Sequence, residues 1–479
     1  MMLRKGITES FGAAIHALGA GQLTDGVLRR SKRMMLDNLG VGLLGSRTEV
    51  FHKALKYSQL FRSEEEKSSV WGKPDVTLPP HFAAFVNGVA VHAMDFDDTW
   101  YPATHPSGAV LPALMALAEV TPRRPSGLDL LVAFNVGIEV QGRLMRFSRE
   151  AFDIPNRFHP PSVVGVMGSA AASAKLLGLS PQQCAHALAI AACSAGAPLA
   201  NAATETKPLH MGYAAQRGLE AARLAQLGLE GNPAILEVAH GFGVYYQDYS
   251  PSAFAPFGVS GWVLDEQDVA FKRVPAHLGM HWVVDAAMAA RAKLESATGQ
   301  HFDVSRIKRV TLRVPPSKYI DCPFPATEHQ ARHSFQFNAC SALLDAGASV
   351  RSYSEAQMER PLLKALLAKV EVEVPGDNPA SFDKMYSEVA IETHQGETAS
   401  ARCDTFYGHW RKPLSQQDLA RKFVANASTV LSSEGAEGVM DSIRNMETKR
   451  HCTTLHAYMH MTRDKHQHQW RSKAVRQSG

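Results

Sequence analysis

Apolar residues recur at helical spacing throughout the first half of the chain. Intervals of three, four and seven residues give one predicted helix an apolar face made of Leu131, Phe134, Ile138 and Met145. Another helix start is predicted at Ser180-Pro181-Gln182-Gln183. The serine can cap the helix, the proline occupies the first helical position, and a glutamine lies three residues after the serine. A further helix is predicted after Lys207-Pro208. Because alanine and glycine are frequent on these helices, their axes can approach closely, as in a buried bundle.

The pattern changes near residue 267, where apolar and polar positions alternate and predict β-strands. The alternating apolar positions are Val310, Leu312 and Val314, then Val370, Val372 and Val374, and more briefly Val389 and Ile391. Helices are predicted between these strands over residues 282–294 and 329–344, which together indicate an α+β domain. After Trp410, the start Ser415-Gln416-Gln417-Asp418 predicts a return to helix that continues to about residue 446.

This order of elements predicts a mainly α fold, in which a smaller α+β domain is inserted into a large all-helical domain. The helical domain is predicted to comprise residues 1–266 and 400–450, and the α+β domain residues 267–399. Residues 451–479 have almost no aliphatic pattern and are rich in histidine: His451, His456, His460, His466 and His468. For this tail a solvated, flexible segment is favoured over a metal-binding one.

Composition narrows the class of protein. Of 479 residues, 45% are apolar and 20% charged, which is typical of globular proteins and excludes a disordered chain. Lys and Arg number 50 and Asp and Glu 46, so the net charge is +4 and nucleic acid is not an expected partner. The six cysteines form no C-x-x-C pair, which favours free thiols over disulfides or a cysteine-based zinc site.

Two further signals are weak or absent. No run reaches the roughly 18 apolar residues of a membrane span. Arg4 and Lys5 precede an apolar patch, a weak transit-peptide signal that an ordinary first helix explains as well or better. Gly40, Gly42 and Gly45 match G-x-G-x-x-G, but residues 30–39 are predicted to be helical, whereas a dinucleotide loop follows a strand.

The richest chemistry lies in two neighbouring stretches. Asp95, Asp97 and Asp98 fall within four residues and could bind a divalent metal, cap helices or orient cationic side chains. His105 follows on a loop marked by Pro106 and a glycine, just before a predicted helix. A histidine in such a place can donate a proton near neutral pH.

Three more loops carry cationic or proton-donating residues. They contain His159 in residues 158–162, Lys207 in residues 202–208, and Lys272 and His277 in residues 271–277. Each loop is rich in proline and lies at the end of a predicted helix. Together they indicate a cleft for a polyanionic small molecule, because ammonium and imidazolium groups pair with carboxylates. A nucleophile elbow, a Walker loop and an H-E-x-x-H motif are all absent from the sequence.

These segments resemble the MmgE/PrpD superfamily, and the resemblance covers roughly residues 1–446. It is carried by residues 92–108, 137–143, 158–162, 196–210, 271–277 and 404–414. The resemblance implies a helical domain built from two chain segments, an α+β lid near residues 267–399, a homodimer, and an active site between the domains. It further implies that no cofactor or metal is needed, and that the protein is associated with mitochondria and innate immune metabolism.

The activity implied by the resemblance is decarboxylation of the tricarboxylate cis-aconitate to itaconate and carbon dioxide. The residues implied in the site are Asp95, Thr99, His105, His159, Lys207, Lys272, His277 and Tyr319. His105 is expected to donate the proton, with His159 as a second acid or an orienting group. Carboxylates are expected to bind the cations Lys207, Lys272 and His277, with hydrogen bonds from Thr99 and Tyr319. Asp95 is expected to keep a neighbouring histidine protonated.

Three other functions stay open at this point. A superfamily dehydratase acting on 2-methylcitrate or a related tricarboxylate would need the same polyanion cleft. An inactive homologue that binds a metabolite or a protein is a possibility of a different class. A metal hydrolase could use Asp95, Asp97, Asp98 and the histidines as ligands.

Overall fold

The first part of the chain packs as helices around one apolar core. The computed structural model describes residues 6–61, 64–65, 67–254 and 261–463. The helices of this part are α1 (Ile7–Ala17), α2 (Asp25–Gly45), α3 (Glu49–Ser58), α4 (Pro80–His92), α5 (Pro106–Val120), α6 (Gly127–Met145), α7 (Val166–Leu177), α8 (Pro181–Ala192), α9 (Lys207–Gln226) and α10 (Val263–Glu266). A hairpin that the sequence did not predict, β1 (Ser68–Val70) with β2 (Lys73–Leu78), packs against α4 and α5.

Local signals explain several of these boundaries. Ser180 caps α8, because its hydroxyl accepts a hydrogen bond from the Gln183 N–H at 3.2 Å while the Gln183 side chain accepts from the Ser180 N–H at 3.0 Å. The helix predicted after Lys207-Pro208 is α9. The three glycines of the G-x-G-x-x-G match lie in the last turns of α2, so the rejection of a nucleotide loop is confirmed.

Helices α4 and α9 approach closely where two glycines face each other. A Cβ atom placed on Gly212 of α9 would lie 2.6 Å from the Phe85 carbonyl oxygen of α4, and one on Gly88 would lie 3.0 Å from the Gly212 Cα. This contact matters for the site, since α4 ends at His92 and α9 begins at Lys207.

Residues 274–403 build a second, smaller core. Its helices are α11 (Met280–Thr298), α12 (Glu328–Ala331), α13 (Phe335–Asp345), α14 (Glu355–Met358) and α15 (Pro361–Leu367), and its strands are β3 (Ile307–Arg313), β4 (Val370–Glu373), β5 (Ser387–Thr393) and β6 (Thr398–Cys403). The strand order is β4-β3-β5-β6, with β3 and β4 parallel and the other pairs antiparallel. The three predicted strands are confirmed as β3, β4 and β5, whereas β6 was not predicted.

The single helix predicted over residues 329–344 is wrong, because the chain breaks there. Helix α12 ends at Ala331, and Ser334 caps α13 by accepting a hydrogen bond from the Phe337 N–H at 2.9 Å. The break leaves Arg332 and His333 in a turn between the two helices.

The last described segment returns to the first core. It forms α16 (Gln416–Ala427), α17 (Ser433–Arg444) and α18 (Thr454–Met459), and the predicted return to helix up to about residue 446 corresponds to α16 and α17. Leu419 and Phe423 of α16 are buried in the core with α2. The prediction of a flexible tail from residue 451 is wrong for α18, because the side chains of Leu455 and Met459 are buried. Arg4, Lys5, His466 and His468 lie outside the described residues.

The two cores meet through a small third cluster that includes Ala103, Leu278, Trp282, Phe382 and Phe406. The described chain is therefore mainly α with two small sheets. Within those same residues, none of the helices is long and apolar enough to cross a bilayer.

Candidate active site

A pocket of about 420 Å³ lies where the two cores meet. Six of the predicted site residues line it: Thr99, His105, His159, Lys207, His277 and Tyr319. Part of the lining is apolar and comes from Leu199, Leu278 and Phe382. The other two predicted residues, Asp95 and Lys272, do not line the pocket; Asp95 contacts the lining residue Lys207, and Lys272 contacts Asp95. The structure thus brings the whole predicted set together.

Asp95 holds two ammonium groups. It follows α4 in the left-handed backbone region, with a φ of 50°, which aspartate adopts more readily than most residues. Lys272 donates to the Asp95 carboxylate at 2.5 Å and to the Asp95 carbonyl at 2.9 Å, and Lys207 donates to the other carboxylate oxygen. Burial alone would raise the pKa of Asp95, but the two ammonium groups outweigh it and hold that pKa well below its usual range.

This arrangement differs from the role predicted for Asp95. The nearest imidazole atom, Nε2 of His333, lies 3.5 Å away, and Nε2 of His105 lies 3.8 Å away. Asp95 therefore serves chiefly to anchor Lys207 and Lys272. Lys272 is fully buried and is occupied by Asp95, so its contribution to substrate binding is indirect.

Asp97 orients His105, the predicted proton donor. The Nδ1 atoms of His92 and His105 lie 3.0 and 3.2 Å from its carboxylate oxygens. Burial alone would raise the pKa of Asp97, but these two imidazoles lower it far below its usual range. His105 precedes the first residue of α5, which is Pro106. Burial lowers the pKa of His105 to about 4 against the opposing effect of Asp97, so the imidazole is neutral at physiological pH in this structure.

The pKa of Asp98 is shifted in the opposite direction to that of Asp97. Asp98 accepts a hydrogen bond from the Ser107 hydroxyl at 2.5 Å and does not line the pocket. Burial, together with Asp37 and Asp97, raises the pKa of Asp98 well above its usual range despite that hydrogen bond. Asp98 therefore tends to the neutral acid and ties the loop to the first turn of α5.

Hydrogen bonds fix which ring nitrogen of His277 carries the proton. The Gly279 N–H lies 3.2 Å from Nδ1, which must therefore accept, and Nε2 must carry the hydrogen. Nε2 lies 2.7 Å from the Tyr319 hydroxyl oxygen and donates to it. Burial raises the pKa of Tyr319, so the phenol keeps its own proton. That O–H remains to be donated into the pocket.

Other polar groups complete the pocket wall. The hydroxyls of Thr99 and Thr104 are buried and have no hydrogen-bond partner among the described residues, so both are placed to bind a polar ligand. His159 lies beside His210, with their Nδ1 atoms 3.3 Å apart, and burial lowers the pKa of both rings. A π-helical turn, Pro161–Gly165, begins two residues after His159 and leads into α7.

Sequence reasoning gave no role to three residues of this cluster. They are His92, which shares Asp97 with His105; Thr104, next to His105; and His333, which contacts both Lys207 and Asp95. His333 was hidden by the prediction of an unbroken helix. The serine that caps α13 was the available signal of a break at that point.

Two groupings of described residues have ligand atoms within 4.8 Å of one another, as a metal site requires. One is His92, His105 and His159, and the other is His92, Asp95, Asp97 and His105. Asp95 already pairs with two ammonium groups, and the carboxylate of Asp97 already lies within 3.2 Å of two imidazole Nδ1 atoms. Both carboxylates therefore already face cationic or hydrogen-bonding groups of this chain, which makes them poor ligands for a further cation.

Comparison with known families assigns the class of protein. The MmgE/PrpD N-terminal domain matches residues 9–254, and the MmgE/PrpD C-terminal domain matches residues 274–448. The chain belongs to the MmgE/PrpD family.

Among its relatives are proteins named cis-aconitate decarboxylase. The human protein of that name is 57% identical over 456 residues, which cover 95% of this chain and 94% of the relative. The mouse protein is also 57% identical, over 95% of this chain and 93% of its own. A cis-aconitate decarboxylase-like protein, oryM, from Aspergillus oryzae is 27% identical over 90% of this chain and 92% of its own.

Proposed function

We propose that this protein decarboxylates cis-aconitate to itaconate and carbon dioxide without a cofactor. The observation that carries the proposal is the pocket itself, in which a lysine, three imidazoles, a phenol and two threonine hydroxyls surround a space of about 420 Å³. The 57% identity over 95% of the chain to two proteins named cis-aconitate decarboxylase supports this substrate over other tricarboxylates.

The reaction needs one acid and two anchored carboxylates. The carboxylate on the saturated CH2 carbon of cis-aconitate leaves as carbon dioxide, and its bonding electrons form a new terminal double bond. Negative charge moves through the allylic system to the former vinyl carbon, which then takes a proton. The retained conjugated carboxylates delocalise the developing charge, and fixed donors stabilise it.

The charges of the site explain how the acid is generated. The carboxylates of Asp95 and Asp97 are balanced by the ammonium groups of Lys207 and Lys272, and the imidazole of His105 is neutral. A bound trianion would add negative charge next to His105 and raise the pKa of that imidazole. We propose His105 as the proton donor, with Asp97 fixing its Nδ1–H, and His159 as a second acid or orienting group.

The remaining groups would hold the substrate. Lys207 would pair with a retained carboxylate, while Thr99 and Tyr319 donate hydrogen bonds and His277 keeps the Tyr319 hydroxyl oriented. The apolar part of the lining would receive the departing carboxylate, whose charge is lost as carbon dioxide. Because His277 and Tyr319 come from the second core, we also propose that residues 267–399 act as a lid that completes the site.

Product analysis tests the proposed function. The purified protein is incubated with cis-aconitate, with 2-methylcitrate in parallel, and itaconate and carbon dioxide are followed by NMR. We expect itaconate from cis-aconitate, no change when EDTA is present, and no dehydration of 2-methylcitrate.

A matched pair of variants accompanies this experiment. His105→Ala is expected to lower kcat by about 10²–10⁴-fold, the usual contribution of a positioned acid. His186→Ala removes a buried histidine of α8 that does not line the pocket, and it should leave kcat near the wild-type value. A dehydrated product, loss of activity in EDTA, or tricarboxylate binding without turnover would favour one of the other functions.

We further propose that the protein is a homodimer. An apolar patch formed by Tyr57, Leu60, Phe61 and Phe82 lies on α3, the turn that follows it and the start of α4. Leu60 is 75% exposed, and exposed apolar groups of this kind mark interaction surfaces. Light scattering should find a dimer for the wild type and for Leu227→Glu, an exposed leucine outside the patch, but a monomer for Leu60→Glu. A monomeric wild type would contradict the proposal.

The proposal of a mitochondrial association and a role in innate immune metabolism rests on the family resemblance. Fractionation of cells that express the full chain tests the first part directly. Recovery of the protein in the mitochondrial fraction would support it, and recovery only in the cytosolic fraction would contradict it.

A further inference from the structure

The turn between α12 and α13 places a histidine against the substrate-facing lysine. His333 is 2% exposed and follows Arg332 in this turn. Its Nε2 atom lies 3.2 Å from the Nζ atom of Lys207 and 3.5 Å from a carboxylate oxygen of Asp95. No step of the reaction described above uses this imidazole.

The hydrogen bonds of His333 define its tautomer. Its Nδ1 atom lies 2.8 Å from the His329 carbonyl oxygen, which can only accept, so Nδ1 carries the hydrogen. Nε2 then has a free lone pair in the neutral ring. Burial and the neighbouring Lys207 lower the pKa of His333 to about 3, so the ring stays neutral at physiological pH. The imidazole is therefore a hydrogen-bond acceptor toward Lys207.

Two acceptors then divide the hydrogens of one ammonium group. Lys207 has three N–H bonds, of which the Asp95 carboxylate takes one and Nε2 of His333 takes another. The third is left for the pocket, whose wall includes Lys207. Without His333 the ammonium would have one fixed partner and could rotate about it.

The same turn joins the two loops that carry other site residues. The Arg332 guanidinium donates to the Pro275 carbonyl at 2.6 Å and to the Met94 carbonyl at 3.4 Å. The Arg332 carbonyl accepts from the His277 N–H at 3.0 Å. The turn is thus fixed relative to both Asp95 and His277, which makes it a suitable support for an orienting group.

We propose that His333 is a positioning residue, whose Nε2 lone pair directs the third N–H of Lys207 toward a retained carboxylate of the substrate. This inference rests on the proposed function for the identity of the substrate. It does not require His333 to exchange a proton or to touch the substrate.

Two polar substitutions of His333 test the hydrogen bonds of its two ring nitrogens separately. The amide of His333→Gln can reach the position of Nε2 and accept from Lys207. The amide of His333→Asn is shorter and can keep only the hydrogen bond to His329. His186→Asn makes the same change at a buried histidine away from the pocket and serves as the control.

Binding is measured with tricarballylate, a saturated tricarboxylate that cannot form the conjugated product, and turnover is measured with cis-aconitate. For His333→Asn we expect the dissociation constant of tricarballylate and the KM for cis-aconitate to rise about ten- to hundred-fold, the range for a lost hydrogen bond to a charged group. The kcat should change far less. His333→Gln should stay within about threefold of the wild type, as should His186→Asn.

The outcomes distinguish the two proposals. If the wild type binds tricarballylate but does not convert cis-aconitate, the proposed function fails, and the ranking of the two variants still tests His333. Equal affinity in His333→Asn and the wild type would overturn the assignment. A loss confined to His333→Gln would also overturn it, because a structural role through His329 predicts that result. Equal losses in both variants would overturn it as well, because they indicate a role for the ring's packing and not for Nε2.

Discussion

Asp97 and Asp98 are adjacent and equally buried, yet the pKa of Asp97 is lowered and that of Asp98 is raised. The difference comes from their partners, since Asp97 faces two imidazoles whereas Asp98 faces one hydroxyl and two other carboxylates. A sequence can place three acids in one stretch, as it does here, but it cannot say which of them is ionised. That depends on contacts made by residues distant along the chain.

The same substitution at both positions tests this difference. Asp97→Asn removes the anion that orients His105, and we expect kcat to fall by about 10²-fold or more. Asp98→Asn removes only a charge that burial disfavours, and the amide oxygen can still accept from Ser107, so kcat and the melting temperature should stay near the wild-type values. Parallel kinetics and thermal melts check both. A larger loss of activity in Asp98→Asn than in Asp97→Asn would reverse the assignment.

At the level of elements, periodicity and capping predicted much of the fold. Strand alternation predicted β3, β4 and β5, and the Ser180 capping box predicted α8, because these signals are local. The β1–β2 hairpin and the break before α13 were missed, although the cap by Ser334 is a local signal of that break. The break explains why His333 could not be predicted as part of the site.

The close approach of α4 and α9 affects the site, because Lys207 of the site is the first residue of α9. A methyl group on Gly212 would lie 2.6 Å from the Phe85 carbonyl oxygen, so Gly212→Ala must push the two helices apart. We expect a loss of about 1–3 kcal/mol in the free energy of unfolding, and a raised KM because Lys207 begins α9. Gly21→Ala has no atom within 4 Å of the new methyl group and is the control. Chemical denaturation measures both; equal stability of the two variants would contradict this explanation.

At the level of the whole molecule, buried neutral histidines make stability depend on pH. Burial lowers the pKa of His105 and His210 to about 4 and of His333 and His409 to about 3. The unfolded chain binds protons at these rings near pH 6.5, before the folded chain does. The stability that the folded chain has while these rings are neutral in both states is therefore fully present above pH 6.5. It is lost as the pH falls toward 4, because protonation of the rings then favours the unfolded chain. The raised pKa of Asp98 acts in the opposite direction.

Denaturation at a series of pH values measures this effect. We expect the free energy of unfolding to fall between pH 6.5 and 4 by up to about 1.4 kcal/mol per pH unit for each such histidine. His409→Gln, which removes one titrating ring outside the pocket, should make the decline less steep. A stability that is constant across this window would contradict the neutral state of the buried rings.

The most direct test of the central claim is turnover of cis-aconitate in D2O, with the product examined by NMR. An acid of the site, exchanged with solvent, delivers the new hydrogen to the former vinyl carbon. We therefore expect itaconate with one deuterium on its saturated methylene and none on its terminal =CH2 group. Itaconate incubated with the protein in D2O controls for later exchange. Deuterium on the =CH2 group, or the absence of itaconate, would contradict the account.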